Sequence, residues 1–304
     1  MTFNIFRFKK NFSSIISTLL FIIPVLALTI SYPVLAQLNV SPGRDSPDRI
    51  DKIEPFHIID NVYFVGKTVH NPSFLFTSDE GHIIIDSTYE EFIPDIQENI
   101  EKLGFNVRDV KIILSSHAHH DHVGGHALLK EVTGATIMAS EKDKEVIETG
   151  GVADFRDGDP WHVAKVDQLI RNKQVVRVGD IALTAHLTPG HTKGCTTWTT
   201  EVEEDGRNYD LVLLCGLRMD ANSPLVGNPE YPEMAQDFAY TFAVAKTLNV
   251  DVFLGAHGYW FDVKGKIEQM KQNPEVNPFL NADEYFELVD LWEKAYLQRL
   301  KEER

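Results

Sequence analysis

An apolar run that ends in a histidine-rich loop constrains this sequence more than any other feature. The run Val110–Leu114 has the composition of a buried strand, and the loop at residues 116–122 (SHAHHDH) follows it directly. Five side chains that commonly bind metals occur there in a fixed order, and His120 is the one that we leave unassigned, because its neighbours on both sides are assigned as ligands. The pattern therefore favours a metal site over a surface loop that is rich in histidine by chance.

The spacing within this loop favours two metal ions over one. His117 and His119 are two residues apart in an extended segment, so their side chains can point in the same direction. Asp121 and His122 come after the chain has turned and can face a neighbouring point. Imidazole nitrogens are typical zinc ligands, and a carboxylate beside them suits zinc or iron.

One loop cannot supply all the ligands of two zinc sites, because each needs about three side chains. Outside the loop, only His191 and His257 lie at the end of a predicted core strand beside glycine, in segments 187–194 and 254–260. We predict that the first metal is bound by His117, His119 and His191, and the second by Asp121, His122 and His257. Asp86 also ends a strand, and it either orients a ligand histidine or caps its own strand.

These ligands predict hydrolysis of an acyl bond. A water molecule shared by two zinc ions becomes a nucleophile near neutral pH, and the metals can also polarise a carbonyl oxygen and stabilise the leaving atom. Asp121 is the residue that we expect to orient the attacking water. Neither Cys195 nor Cys215 has the flanking histidine of a catalytic thiol, so a covalent cysteine mechanism is not favoured.

The predicted elements alternate between strands and helices in two similar halves. Helices are expected at residues 92–103, 126–132, 141–148, 229–248 and 282–301, between or after groups of apolar strands. Each half would form its own mixed sheet. We predict an α/β fold of four layers, αββα, with the two sheets face to face and the helices outside, because that arrangement buries both faces of each sheet.

The first 36 residues have the features of a secretory signal peptide. Arg7, Lys9 and Lys10 precede a mostly apolar stretch. Val34-Leu35-Ala36 resembles a signal-peptidase cleavage site, so cleavage is expected after about Ala36. Residues 37–304 would then form one exported domain, with no membrane association after cleavage. The formal net charge of −16 becomes more negative when those three basic residues are removed, which argues against a nucleic-acid partner.

The two cysteines belong to a predicted β-hairpin. Cys195 begins one apolar run, Cys215 ends the next, and the turn at residues 203–208 joins them. An exported protein can form disulfides, but a bond between paired strands requires suitable geometry. The sequence leaves the pairing of Cys195 with Cys215 open.

With these residues in place, the chain resembles the metallo-β-lactamase superfamily from about Pro55 to the C-terminal helix. The resemblance is carried by the HxHxDH motif of residues 117–122, and it is most like subclass B3 in the segments TPGHTKGCTTW at 188–198 and GNPEYP at 227–232. The glyoxalase II and lactonase members carry a Gly-Asp pair where this chain has Cys215-Gly216-Leu217. Cys215 precedes the glycine, unlike the cysteine ligand of subclass B1.

The resemblance implies a periplasmic enzyme with two Zn²⁺ per chain that opens the amide bond of the β-lactam ring in penicillins, cephalosporins and carbapenems. We expect a monomer whose partner is the small-molecule β-lactam. Two features depart from the subclass. Leu217 and Met219 replace serines that meet the substrate carboxylate, so Arg218 or Ser223 would take that role, and Asp86-Ser87-Thr88 lacks a glycine after the aspartate.

Two alternative functions stay open at this point. One is hydrolysis of another cyclic ester or amide, as in a lactonase, against which the missing Gly-Asp pair argues. The other is an exported zinc-binding protein without catalysis, against which the complete set of six predicted ligands argues.

Overall fold

Twelve strands form two mixed sheets in the part of the chain that the computed structural model describes, residues 46–156 and 160–304. In chain order the strands are β1 (Phe56–Ile59), β2 (Val62–Phe64), β3 (Phe74–Phe76), β4 (His82–Ile85), β5 (Val110–Leu114), β6 (Thr136–Ser140), β7 (Gln168–Ile170), β8 (Val175–Val178), β9 (Ile181–Leu187), β10 (Thr196–Glu204), β11 (Arg207–Leu214) and β12 (Val252–Gly255). Strands β1 to β7 follow one another in the first sheet, and the second has the order β12-β11-β10-β9-β8.

Helices occur before, between and after these strands. Within the described ranges they are α1 (Pro47–Ile50), α2 (Ile93–Lys102), α3 (His120–Val123), α4 (His126–Thr133), α5 (Glu141–Glu148), α6 (Met234–Ala245), α7 (Val263–Gln272) and α8 (Ala282–Glu302). Short 3₁₀ turns occur at Glu90–Phe92, Val107–Asp109 and Gly258–Trp260.

Both faces of the first sheet are buried. In β4, Ile83 and Ile85 pack into the core between the two sheets, whereas Ile84 packs into a second core under the helices. The alternation follows from the two-residue period of a strand. A strand with apolar residues on both faces needs a layer on each side, which explains the unbroken run of isoleucines.

The outer layers are helical on both sides. Ile96 of α2 and Leu129 of α4 belong to the core that covers the outer face of the first sheet. Phe238 of α6 and Trp292 of α8 pack on the second sheet, within the larger core. The predicted fold of two mixed sheets face to face with helices outside is confirmed.

Parallel pairing brings the ends of distant strands to one edge. β4 pairs in parallel with β5, with Ile85 opposite Leu114, and β11 pairs in parallel with β12, with Leu214 opposite Gly255. Carboxyl ends of parallel strands lie at the same edge of a sheet. The residues that follow β4 and β5 are therefore neighbours, and so are those that follow β11 and β12, although the members of each pair are far apart in sequence.

Some predicted elements differ from the structure. The helix expected at residues 229–248 is restricted to α6, because the side chain of Asn228 accepts hydrogen bonds from the N–H groups of Glu230 and Tyr231 and forms a turn there. Sequence reasoning missed α7 and β7. The short helix α1 was also not predicted, and Ser46 caps it by accepting a hydrogen bond from the N–H of Asp48.

The hairpin of β10 and β11 is closed by a disulfide. Cys195 lies directly before β10 and Cys215 directly after β11, and the two form a bond with their Cα atoms 5.9 Å apart. Both residues are fully buried. The structure thus decides the pairing that the sequence left open.

The predicted signal peptide lies outside the described residues. Within the described ranges, every helix is too short or too polar to cross a lipid bilayer.

Candidate metal centre

Three histidines from two loops form the first group of metal-ligand side chains. The ring centres of His117 and His119 are 4.4 Å apart, and those of His117 and His191 are 4.6 Å apart. One donor atom from each of the three rings lies within 4.8 Å of the other two. The structure therefore brings together the three residues that were predicted to bind the first metal.

The turn after His119 separates the second pair of predicted ligands from the first. The helix α3 begins directly after this residue, and the carbonyl of His119 accepts hydrogen bonds from the N–H groups of His122 and Val123. The extended segment before this turn holds His117 and His119 together. Asp121, on the turn, faces a neighbouring point, as the spacing predicts.

A second group of side chains surrounds the Asp121 carboxylate. Its Oδ2 lies 3.6 Å from Nε2 of His122 and 3.9 Å from Nε2 of His257. His70, which sequence reasoning had not assigned, has its Nε2 3.9 Å from the same oxygen. Donor atoms of His70, Asp121 and His257 all lie within 4.8 Å of one another, and His122 adjoins this group through Asp121.

The two groups are contiguous. The rings of His117 and His122 are 4.0 Å apart between their centres, and each ring belongs to a different group. Metals bound at the two groups would therefore be close enough to act on one substrate bond.

Most of the predicted histidine ligands use Nδ1 for a hydrogen bond within the protein. The Nδ1–H groups of His191 and His257 donate to the carbonyl oxygens of Arg218 and His70, at 2.6 Å and 3.1 Å. Nδ1 of His122 donates to the carboxylate of Asp86 at 2.9 Å. Because these acceptors cannot donate, Nε2 of each ring carries a lone pair, as a metal ligand must.

These side chains fit a metal by their unpaired atoms. Among the described residues, Nε2 of His117 and Nε2 of His122 are buried and have no hydrogen-bond partner. A buried polar atom without a partner is costly, and a cation would satisfy both. Burial, and then the neighbouring His122, hold the pKa of His117 well below its ordinary value, so this imidazole is neutral, which is the form that binds a metal.

The charges in the second group also favour a cation. Burial alone would raise the pKa of Asp121, but the imidazoles of His122, His257 and His70 hold it below its ordinary value. Burial alone would lower the pKa of His122, but the carboxylates of Asp121 and Asp86 raise it above its ordinary value. Negative charge on both sides of His122 thus stabilises positive charge at this point.

Asp86 is connected to one predicted ligand histidine of each group. Its Oδ2 accepts hydrogen bonds from Nδ1 of His122 and from Oγ of Ser116, and its Oδ1 accepts one from the N–H of Ser116. The Ser116 hydroxyl oxygen in turn lies 3.0 Å from Nδ1 of His117. One carboxylate therefore orients His122 directly and His117 through a hydroxyl.

Replacing Asp86 by Asn should weaken metal binding at both groups by about 10- to 100-fold, with the fold retained. The amide would present N–H groups to donors that now meet a carboxylate. Asp86 has a left-handed backbone (φ +66°), which Asn tolerates, so the backbone is not strained by the change. Zinc affinity measured by competition with a chromophoric chelator checks this result.

The matched control for this prediction is Asp60→Asn. Asp60 also has a left-handed backbone (φ +48°), and its carboxylate accepts a hydrogen bond from the N–H of Glu203 in an exposed turn. This variant should bind zinc like the wild type. Equal zinc affinity in both variants would show that Asp86 does not orient the ligands.

A cavity of about 850 Å³ opens over the two groups. Arg218 and Ser223, the residues predicted to meet the substrate carboxylate, both line this cavity. Leu217 and Met219 are buried in the core on either side of Arg218, so their side chains do not face the cavity. The hydroxyl of Ser223 already donates a hydrogen bond to Asp220, which leaves Arg218 as the stronger candidate for an anionic substrate group.

Several residues around the cavity were not found from the sequence. Arg156, in the loop after α5, lines the cavity, and its Nε is buried without a hydrogen-bond partner among the described residues. Asp154 in the same loop lies 3.5 Å from Nε2 of His119. Asn71 donates hydrogen bonds to Asp121 from the loop between β2 and β3. These loops carry no periodic pattern, so only the polar side chains themselves could have marked them.

The comparisons with known proteins agree with this geometry. The model of the metallo-beta-lactamase superfamily matches residues 66–204. Native FEZ-1 metallo-beta-lactamase from Legionella gormanii is 35% identical, with a TM-score of 0.81 over 83% of this chain and 97% of that one. The class B3 di-zinc metallo-beta-lactamase LRA-12 from an Alaskan soil metagenome is 29% identical, with a TM-score of 0.79 over 86% and 99%.

A shorter similarity connects the chain to another hydrolase. A hydroxyacylglutathione hydrolase from Bradyrhizobium sp. strain BTAi1 is 34% identical over 133 residues, which are 43% of this chain and 45% of that protein. The matches span between 22% and 51% of the length of the curated relatives. Because the alignment with FEZ-1 covers nearly all of a solved enzyme at 35% identity, and the histidine and aspartate side chains converge as described, this chain belongs to the metallo-β-lactamase superfamily.

Proposed function

We propose that the protein is a hydrolase that uses two zinc ions to open the amide bond of the β-lactam ring. The first zinc is held by His117, His119 and His191, and the second by Asp121, His122 and His257. The observation that carries the proposal is the convergence of these six side chains, with buried Nε2 atoms unpaired and several Nδ1 atoms already engaged. Bound zinc would supply a nucleophilic water near neutral pH and polarise the scissile carbonyl.

The side chains of the protein orient the attacking water and the metal ligands. Asp121 lies between the histidines of the second group, where its carboxylate can hold and orient the attacking water. Asp86 holds His122 and, through Ser116, His117. The burial of these four side chains excludes bulk water from the ligand nitrogens. Electrostatic interactions in the site are stronger as a result.

The substrate class is supported by similarity to FEZ-1 and LRA-12 and by the charge around the cavity. Arg156 and Arg218 line the cavity above the ligands. A β-lactam carries a carboxylate beside its strained amide, and an arginine is well suited to bind it. The open cavity argues against a zinc-buffering protein, which needs no space for a substrate.

The experiment for this proposal compares four substrates with the zinc-loaded protein: nitrocefin, a carbapenem, an acyl-homoserine lactone and a hydroxyacylglutathione thioester. We expect hydrolysis of the two β-lactams that stops when a chelator removes zinc and returns when zinc is restored. Turnover of the lactone or the thioester alone would overturn the proposal, and no turnover of any substrate by protein with two bound zincs would favour zinc storage.

An alternative function is hydrolysis of another ester or thioester. The similarity to hydroxyacylglutathione hydrolase favours it. The sequence Cys215-Gly216-Leu217 argues against it, because it lacks the Gly-Asp pair expected of those members. The same four-substrate comparison decides between the two functions.

Replacing Arg218 by Ala should raise KM for β-lactams by about 10-fold or more and leave kcat nearly unchanged. A charge-assisted hydrogen bond contributes about 1.5–3 kcal/mol. The carbonyl of Arg218, which accepts the hydrogen bond from His191, is kept in this variant. Steady-state kinetics with a penicillin and with its methyl ester check the result.

Two controls accompany the Arg218 prediction. Arg177→Ala removes an exposed arginine from β8 and should leave both kinetic constants unchanged. The methyl ester lacks the carboxylate, so its KM should not respond to Arg218→Ala. An equal rise in KM for the ester would show that Arg218 does not bind the carboxylate.

We also propose that the protein is exported to the periplasm, with cleavage after about Ala36, and acts as a monomer. The basic start and apolar stretch of the first 36 residues support export. The mass of the protein from a periplasmic extract and its light scattering in solution test the two statements.

A further inference from the structure

His70 is a buried histidine whose ring nitrogens have no partner. The side chain is 1% exposed, and among the described residues neither Nδ1 nor Nε2 makes a hydrogen bond. A neutral imidazole carries one N–H and one lone pair, and burying both without partners is costly. The arrangement indicates that this ring binds a group that does not belong to the protein itself.

The ring of His70 is directed towards the second metal group. Its Nε2 lies 3.9 Å from Oδ2 of Asp121, the same separation that joins His257 Nε2 to that oxygen. Ligand atoms around a tetrahedral zinc are about 3.3 Å apart, given bonds of about 2.0–2.1 Å. Both separations from Asp121 exceed this value by only about half an ångström, so small movements would bring His70, His257 and Asp121 onto one metal ion.

The loop that carries His70 is tied to the second group in two other ways. The carbonyl of His70 accepts the hydrogen bond from Nδ1 of His257, and Nδ2 of Asn71 donates to Oδ2 of Asp121 at 3.3 Å. The loop lies so close to Gly258 that a Cβ there would collide with the carbonyl of Val69. Glycine at this position allows the two loops to meet.

Stacking fixes the orientation of the ring. The His70 ring stacks on His257 at 4.6 Å and on Tyr259 at 5.5 Å between ring centres. These contacts restrict rotation of the imidazole, so less entropy is lost when a metal binds. The same contacts would persist if an aromatic ring without nitrogen stood in this position.

We infer that His70 is a fourth protein ligand of the second metal, beside Asp121, His122 and His257. This inference rests on the proposed two-metal function. Four protein ligands are the number found in structural zinc sites, whereas catalytic zinc sites usually have three. The second metal is therefore held more tightly than three ligands would hold it, and it exchanges more slowly.

The test is a metal titration of the His70→Phe variant in the full chain. Phenylalanine keeps the stacking on His257 and Tyr259 and the backbone carbonyl, but it has no nitrogen for a metal. Metal-free protein is titrated with Zn²⁺ in the presence of a competing chromophoric chelator. We expect unchanged affinity at the first group and at least about 100-fold weaker affinity at the second, since loss of a ligand exceeds the 10–100-fold effect of a residue that only supports one.

A second measurement uses Co²⁺ in place of zinc. In the NMR spectrum of the cobalt protein, each ligand imidazole whose N–H exchanges slowly with solvent gives a strongly shifted signal. One such signal should be missing from His70→Phe, and the visible absorption of the second cobalt should change. A merely stacking role for His70 would leave both spectra unchanged.

The control variant is His82→Phe. His82 is a buried histidine of β4, 6% exposed, whose ring packs against the edge of Phe105 away from both groups. The His82→Phe variant should bind two metals like the wild type. In the His70→Phe variant, binding at the first group shows that the protein is folded. Second-site affinity in His70→Phe within about threefold of wild type would overturn this inference alone, and a wild-type chain that binds only one metal would overturn the two-metal proposal as well.

Discussion

Replacing Asp121 by Ala should lower kcat/KM for nitrocefin by a factor on the order of 10²–10⁴. The carboxylate lies within 3.9 Å of Nε2 of His70, His122 and His257, so its removal takes away the central anion of the second group. A metal that stabilises charge in the transition state contributes several kcal/mol, and each 1.36 kcal/mol is a factor of ten in rate. Steady-state kinetics and the number of zinc ions per chain check both parts of the prediction.

The fold and the first metal group should survive this change. The alanine variant should keep the zinc of the first group and bind the second zinc more weakly, because His117, His119 and His191 form a separate group without the Asp121 carboxylate. Asp290→Ala on the exposed face of α8 is the matched control and should bind two zincs with unchanged activity. Wild-type turnover by Asp121→Ala with two bound zincs would refute the assignment of this ligand.

The residues that could be predicted from the sequence are those whose position depends on local structure. The strand β5 reads as an apolar run, and the turn that follows separates His117 from His122 within six residues. His191 and His257 follow core strands beside glycine, and parallel pairing then brings strand ends to one edge. These rules need no knowledge of the final packing.

His70 could not be found in this way because its position depends on tertiary contacts. It lies in a loop between β2 and β3 that has no helical or strand period. Only the close approach of this loop to Gly258 places the ring beside His257. Arg156 depends in the same way on how the loop after α5 folds over the cavity.

The helix expected at residues 229–248 is longer than the helix in the structure, because a local side-chain contact outweighs the apolar pattern. Its apolar residues fit a helical period, but the side chain of Asn228 competes for the backbone N–H groups of Glu230 and Tyr231, and α6 begins only at Met234. The missed helix α7 has a polar sequence, KGKIEQMKQ after Val263, and Asp262 caps it by accepting a hydrogen bond from the N–H of Gly265. In the first case a side-chain turn replaced the start of the expected helix, and in the second a side-chain cap began a helix that its polar sequence did not indicate.

Removing the disulfide should reduce the free energy of unfolding by about 3 kcal/mol. A bridge that closes a loop of this length lowers the conformational entropy of the unfolded chain, and the loss corresponds to that free energy. The comparison is Cys195→Ala/Cys215→Ala against oxidised wild type, by denaturant unfolding of metal-free protein, and the thermal midpoint should fall by roughly 6–12 °C. Alanine is chosen because both positions are fully buried and a serine would bury an unpaired hydroxyl. Reduced wild type is the control and should match the double variant. Two free thiols in the unfolded, unreduced wild type, or equal stability of the oxidised wild type and the variant, would contradict the prediction.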